Sequence, residues 1–106
     1  MLSGYRILWI ITIFDLPVAT KSERKRASGF RNSLLDLGFE MVQFSVYMKH
    51  CAGKEQAEAI QQKIKKAVPE FGNVKILVIT DKQFGSIVHL GRHSQRSINT
   101  DQLVLF

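Results

Sequence analysis

Residues 6–14 read RILWIITIF and run directly into Asp15-Leu16-Pro17. The run is rich in Ile and aromatics and broken only by Thr12, so it reads as a strand buried on both faces. Pro17 ends it, because proline cannot donate to a sheet ladder and disfavours helix at the residue before it. The flanking segments must then supply the cover for this strand.

Downstream, Thr20-x-x-Glu23 has the pattern of a capping box, in which a hydroxyl and a carboxylate satisfy two backbone donors at a helix start. Ala27, Phe30, Leu34 and Leu37 then form one apolar stripe, and Gly38 stands where a helix-ending glycine belongs. Glu40 to Met48 alternates, with Val42, Phe44, Val46 and Met48 on one side and Met41, Gln43, Ser45 and Tyr47 on the other. This fits one long strand or two short strands folded near Phe44-Ser45 equally well. Lys54 to Val68 reads as a second helix, striped by Ala57, Ile60, Ile64 and Ala67 and stopped by Pro69. Gly72-Asn73 is a turn, Val74–Thr80 a β-branched strand, and Ser86–Leu90 a further short strand after a connection at Lys82–Gly85. A polar stretch, Gly91–Thr100, leads to Leu103–Phe106, which the reading expects as a strand added to a sheet edge, in this chain or on a partner. The order β-α-β(β)-α-β-β predicts an α+β fold, a ferredoxin-like β-α-β-β-α-β sandwich with two helices on one face of an antiparallel sheet and an extra C-terminal strand. Residues 1–91 form that domain and 92–106 a tail.

At 106 residues the chain is one domain. Its 45% hydrophobic and 23% charged residues exclude a disordered or collagen-like chain. The longest apolar run falls far short of the ~20 residues that span a bilayer, and it lacks the cleavage site of a signal peptide. No membrane association and a cytoplasmic location are therefore expected. The lone Cys51 agrees, since it allows no internal disulfide and excludes a cysteine metal cluster. A formal charge of +6 and a pI near 9.8 point to a polyanionic partner, most often nucleic acid.

Asp15 is the first candidate for chemistry. It ends an apolar strand with no Lys or Arg beside it in sequence. Its ordinary role would be to cap the following turn. A hard cation such as Mg²⁺ takes carboxylate oxygens and water, so one Asp15 makes a poor site and two, brought together across a dimer axis, a plausible one. The start of the first helix is the second candidate. Lys21, Arg24, Lys25, Arg26 and Arg31 face only Glu23 across positions 20–31. Lys21, Arg24, Lys25, Ser28 and Arg31 share an arc of about 120°, with Arg26 across the apolar stripe. Cations there oppose the helix macrodipole; the placement fits phosphate contact, or else a solvated basic face. His89 and His93 span Gly91 without an acidic third ligand, so zinc is not expected. Cys51 beside His50 lacks an orienting third group, and no glycine loop for phosphate is present. Tyr5, Trp9, Phe14 and Phe44 belong mostly to strands and are assigned to the core rather than to base stacking.

Four segments together resemble one known family: ITIFDLP at 11–17, ERKRASGFRNSLL at 23–35, GFEMVQFSVYM at 38–48 and GNVKILVITDKQF at 72–84. The chain is similar to the small CRISPR-associated adaptation protein Cas2, most closely to its type II version. The resemblance implies a ferredoxin-like symmetric homodimer that joins the adaptation integrase, Cas1, captures duplex DNA and bridges the integrase during spacer acquisition. It also implies a Mg²⁺-dependent (or other divalent-cation-dependent) endonuclease, a phosphodiesterase acting on DNA or RNA, with the ion weakly bound. On this resemblance Asp15 is the metal-binding and catalytic aspartate, and Ser45 and Tyr47 are further catalytic positions. Arg24 and Arg26 lie in the helix stretch that holds functional arginines, and Lys21, Lys25 and Arg31 would join them on the nucleic acid. Phe14 replaces a tyrosine common in the family, and Met41 stands where some members carry an arginine. A stand-alone metal-dependent ribonuclease or deoxyribonuclease of toxin-like type is the alternative, and a non-enzymatic RNA-binding module the third.

Overall fold

The structure, a computed structural model, describes residues 6–91. Their order is β1 (Ile7–Asp15), α1 (Lys21–Asp36), β2 (Glu40–Gln43), β3 (Val46–Ala52), α2 (Gly53–Ala67), β4 (Asn73–Thr80) and α3 (Asp81–Gly85). The sheet runs β2-β3-β1-β4, and β1 pairs antiparallel with both β3 and β4. This is the expected α+β arrangement. The tail and its terminal strand at Leu103–Phe106 lie outside the described residues.

Local chemistry explains the helices. Thr20 caps α1 by accepting from the Glu23 N–H at 3.1 Å, and Glu23 returns the bond by accepting from the Thr20 N–H at 2.9 Å. At the other end Gly38 adopts φ +95°, a conformation that costs a side-chain residue free energy. Phe30 and Leu34 of α1 and Ala57, Ile60 and Ile64 of α2 meet Ile10, Phe14, Tyr47 and Cys51 of the sheet in one core. The Phe14 ring packs edge-on against Phe30, with centroids 5.1 Å apart.

Both helices cover the same face of the sheet. Along β1 the alternation sends Leu8, Ile10, Thr12 and Phe14 toward them, and Trp9, Ile11, Ile13 and Asp15 away. The expectation of a strand buried on both faces is therefore corrected. The second face lies open in a single protomer, with Ile13 at 43% and Leu77 at 52% exposure. Cross-strand pairing puts Val46 and Lys75 on either side of Ile13, and Met48 and Leu77 on either side of Ile11, so this face is apolar around Ile11, which is 9% exposed, and is flanked by Lys75 and by His50 beside Trp9.

Two further readings are settled by the backbone. Residues 40–52 form two strands, with a register shift between Met41 and Gln43. The expected strand at Ser86–Leu90 does not form. The chain leaves β4 through α3 instead, because Thr80 and Gln83 make a second reciprocal capping box and Phe84 stacks on Trp9 at 3.7 Å with rings 7° apart. Trp9 Nε1 also donates to Asp81 Oδ1 at 2.8 Å. These contacts hold the exit from β4 on the open face of the sheet, rather than letting it turn back along the β4 edge.

Candidate nucleic-acid interface

Three segments distant in sequence meet beyond the C-terminal end of β1. The first is the end of β1 with its following loop, the second is the outer side of α1, and the third is the β2–β3 turn. The backbone N–H of Phe14 donates to the Ser45 carbonyl at 3.0 Å, which ties the turn to the end of β1. Ser45 has φ +64°, a left-handed conformation that non-glycine residues adopt only at a cost of about 1–3 kcal/mol. On the other side, Arg24 Nη1 donates to the carbonyls of Val18 and Ala19 at 3.1 and 3.2 Å. That contact fixes the loop after Asp15 onto α1. Between these ties lies an open groove of about 450 Å³ in which Asp15, Arg24, Ser28, Arg31 and Ser45 meet.

Asp15 is exposed, and its carboxylate makes no hydrogen bond or ion pair among the described residues. Neither Arg24 nor Arg31 has an acidic partner among those residues. The groove therefore carries two uncompensated guanidinium groups beside one carboxylate, a donor-rich wall suited to an anion. Arg31 also reaches the vicinity of the Tyr47 phenol: burial pushes that phenol up from its ordinary value, and the Arg31 charge partly offsets the rise.

The other expected residues scatter. Lys21 and Lys25 are exposed on α1. Arg26 points to the far side of the helix, where its Nη1 donates to Ser22 Oγ at 2.7 Å beside Glu23, Pro69 and Glu70. Tyr47 is only 1% exposed and lies in the core against Phe14. A phenol in that position does not reach a substrate, so Tyr47 enters as a packing residue rather than a catalytic one. Leu16 and Val18, which the sequence did not single out, complete the groove with apolar surface together with Phe44. The expected place of Phe44 in the core is corrected: it stands in the turn between β2 and β3 and is 50% exposed.

Among the described residues no three His, Cys, Asp or Glu side chains converge as a metal site. A divalent cation would find one carboxylate per chain, Asp15. The same alternation that opens one sheet face puts Asp15 on the side of Ile11 and Ile13, so a second copy covering that face would bring a second Asp15 toward it. The donor set fits a divalent ion only in that shared form. No helix among the described residues is long and apolar enough to cross a membrane.

Comparison with known proteins bears on the fold and the family. A protein of Paracidovorax avenae named CRISPR-associated endoribonuclease Cas2 is 46% identical over 108 aligned residues, covering all of both chains. A protein of the same name from Flavobacterium psychrophilum is 46% identical over 99% of this chain and 93% of its own. Among solved structures, a crystal structure of Cas2 superimposes with a TM-score of 0.60 at 20% identity, covering 88% of this chain and 95% of that one. Cas2 of Streptococcus pyogenes at pH 6.5 gives 0.59 at 16% identity, covering 78% and 99%. These two structures share the fold. Residues 8–87 match the family described as CRISPR associated protein Cas2, and the chain belongs to that family.

Proposed function

We propose that the protein acts in the cytoplasm as a homodimer that binds duplex DNA through its backbone and bridges the adaptation integrase, Cas1, for spacer acquisition. One observation carries the reading: two arginines of α1 without an acidic partner among the described residues stand in one groove with Asp15, beside a largely apolar sheet face that a single copy leaves partly uncovered. Family membership supports the adaptation role. The open face supports pairing of two copies, since burying apolar surface contributes about 25 cal/mol per Å². Phosphate contact by Arg24, Arg31, Lys21 and Lys25 carries no sequence information, which suits capture of DNA of any sequence.

The curated relatives are named endoribonucleases, and that name favours a second reading in which the same groove cuts RNA. Here Asp15 from two copies would hold a divalent cation weakly. When bound, such an ion neutralises phosphate charge and activates water. Arg24 and Arg31 would hold the scissile strand, and the Ser45 hydroxyl would orient a phosphate oxygen. Two carboxylates repel one another when brought close, and a shared cation or proton relieves that repulsion.

Size-exclusion chromatography with the purified integrase and a short duplex tests the first reading. Co-elution of all three supports it, and a monomer that ignores both sinks it. For the second, RNA cutting should stop with a chelator and with Asp15→Asn. Cutting that survives Asp15→Asn points to a contaminating nuclease.

A further inference from the structure

Asp15 has a basic neighbour that its own stretch of sequence does not show. In the pairing of β1 with β4, Asn73 stands directly opposite Asp15 and Lys75 opposite Ile13. Residues paired across two strands share a face, so Lys75 lies on the open side of the sheet with Asp15, one step away along the diagonal. Diagonal neighbours have Cβ atoms roughly 7 Å apart, within reach of a long side chain. Arg24 and Arg31 belong to α1, which packs on the other side of the sheet. The other cross-strand neighbours on this side, Val46, Asn73 and Leu77, are neutral. Asp15 and Lys75 are both exposed, and neither side chain has an ion-pair or hydrogen-bond partner among the described residues. This end of the face thus carries one acid and one base, both uncompensated in a single copy, beside Ile13 and Leu77 at 43% and 52% exposure.

We propose that in the homodimer the Lys75 ammonium of each copy stands against Asp15 of the other, so that the two carboxylates converge with their charge balanced by two ammonium groups and without a bound cation. The inference rests on the homodimer reading and adds to it a positioning residue, Lys75. A two-fold interface is self-complementary: where Asp15 meets Lys75 of the second copy, Lys75 meets the Asp15 of that copy. One acid and one base on the same partly apolar face satisfy this rule, and that charge complementarity assigns a second copy as the occupant. An acid alone would not satisfy it, because the symmetry would set like charges against each other. The apolar residues beside the pair exclude water from the contact, which strengthens the attraction and makes an unpaired carboxylate costly. Asn73, opposite Asp15, supplies amide donors for carboxylate oxygens that Lys75 leaves free. The ammonium groups also compete with a divalent ion for those oxygens, so assembly of the dimer and binding of an ion become separable.

The test follows the dimer dissociation constant of the full chain by sedimentation equilibrium, once in chelator and once in Mg²⁺. The parent should dimerise equally in both. Lys75→Gln should weaken the dimer at least about tenfold in chelator, and Mg²⁺ should restore it by taking the place of the ammonium groups. Lys75→Arg, which keeps the charge, should match the parent. Adding Asp15→Asn to Lys75→Gln should recover the dimer in chelator, since the repulsion is then gone. That recovery separates lost pairing from lost folding. A Lys75→Gln dimer as tight as the parent in chelator overturns the proposal, as does a loss that Asp15→Asn fails to relieve or a parent dimer that requires Mg²⁺. If Lys75→Gln weakens duplex binding and leaves the dimer intact, Lys75 contacts phosphate instead, and the proposal falls while the homodimer stands. If the parent stays monomeric in both conditions, the homodimer reading fails and takes the inference with it.

Discussion

The N–H of Phe14 and the carbonyl of Ser45 are joined by a 3.0 Å hydrogen bond, and Ser45 reaches that position only by taking φ +64°. A left-handed serine thus fixes the turn against the end of β1, next to Asp15. Glycine adopts this conformation without a steric cost, although it loses more freedom on folding. Ser45→Gly should therefore leave stability unchanged or raise it by up to about 1 kcal/mol, and Ser45→Val should lower it by about 1–3 kcal/mol. Urea unfolding of the two variants checks the contrast. Cutting or binding that falls in Ser45→Gly with stability intact would isolate the hydroxyl as the working group.

Gly72 supports the same site from below. A Cβ there would stand 2.8 Å from Leu16 Cδ2 and 3.0 Å from the Pro69 carbonyl oxygen, and the latter is backbone that cannot swing aside. Gly72→Ala should cost about 1–3 kcal/mol and displace the loop that follows Asp15. Thermal melting gives the first effect, and weakened duplex binding gives the second. A melting temperature equal to that of the parent would contradict the close approach.

Thr12 is fully buried, and its hydroxyl has no hydrogen-bond partner. A buried unsatisfied hydroxyl costs about 1–3 kcal/mol relative to an apolar group of the same shape. Thr12→Val should raise the unfolding free energy by about 1 kcal/mol. On a domain of this size that is roughly 4–8 °C in melting temperature. A loss of stability would indicate that the hydroxyl is satisfied in solution.

Trp9 is the single tryptophan, and it reports on α3. Phe84 stacks on its ring and Asp81 accepts from its indole N–H at 2.8 Å. Phe84→Ala should uncover the indole and shift its emission to longer wavelength, with Asp81→Ala giving a smaller shift. An unchanged spectrum in Phe84→Ala would show that α3 does not dock on the sheet in solution.

Alkaline pH should destabilise the fold. Burial pushes the Tyr47 phenol above its ordinary value of 10.0 and the Cys51 thiol above 9.0, with Arg31 and Lys49 partly opposing each rise. A group whose folded value is raised contributes stability that is complete below its unfolded value and is lost as pH climbs through the folded one. Urea midpoints measured from about pH 8 to about pH 11 should stay level and then decline, thiol first. Tyr47→Phe with Cys51→Ala should flatten the decline. A decline unchanged in that double variant would assign it to other groups.

The elements legible from sequence were those set by a few neighbouring residues. The Thr20–Glu23 box, the Phe30 and Leu34 stripe, the left-handed Gly38 and the stop at Pro69 are local signals, and each marks a boundary or face of α1 or α2. The same capping pattern stands at Thr80-x-x-Gln83, although the reading along the chain took Lys82–Gly85 for a connection and Ser86–Leu90 for a strand. What made α3 win was a contact across the fold, Phe84 on Trp9, which no local pattern contains. Tyr47 shows the same limit. Alternation put it on one side of its strand, but only the packing of Phe14 and Phe30 on that side turned a candidate for chemistry into a core residue. The groove required the most tertiary information, since its walls come from residues 14–18, 24–31 and 44–45. Charge and the strand-ending Asp15 could be read along the chain because they belong to single residues or neighbours. Their convergence depends on chain segments brought together by burial, which is why it emerges only in the folded protein.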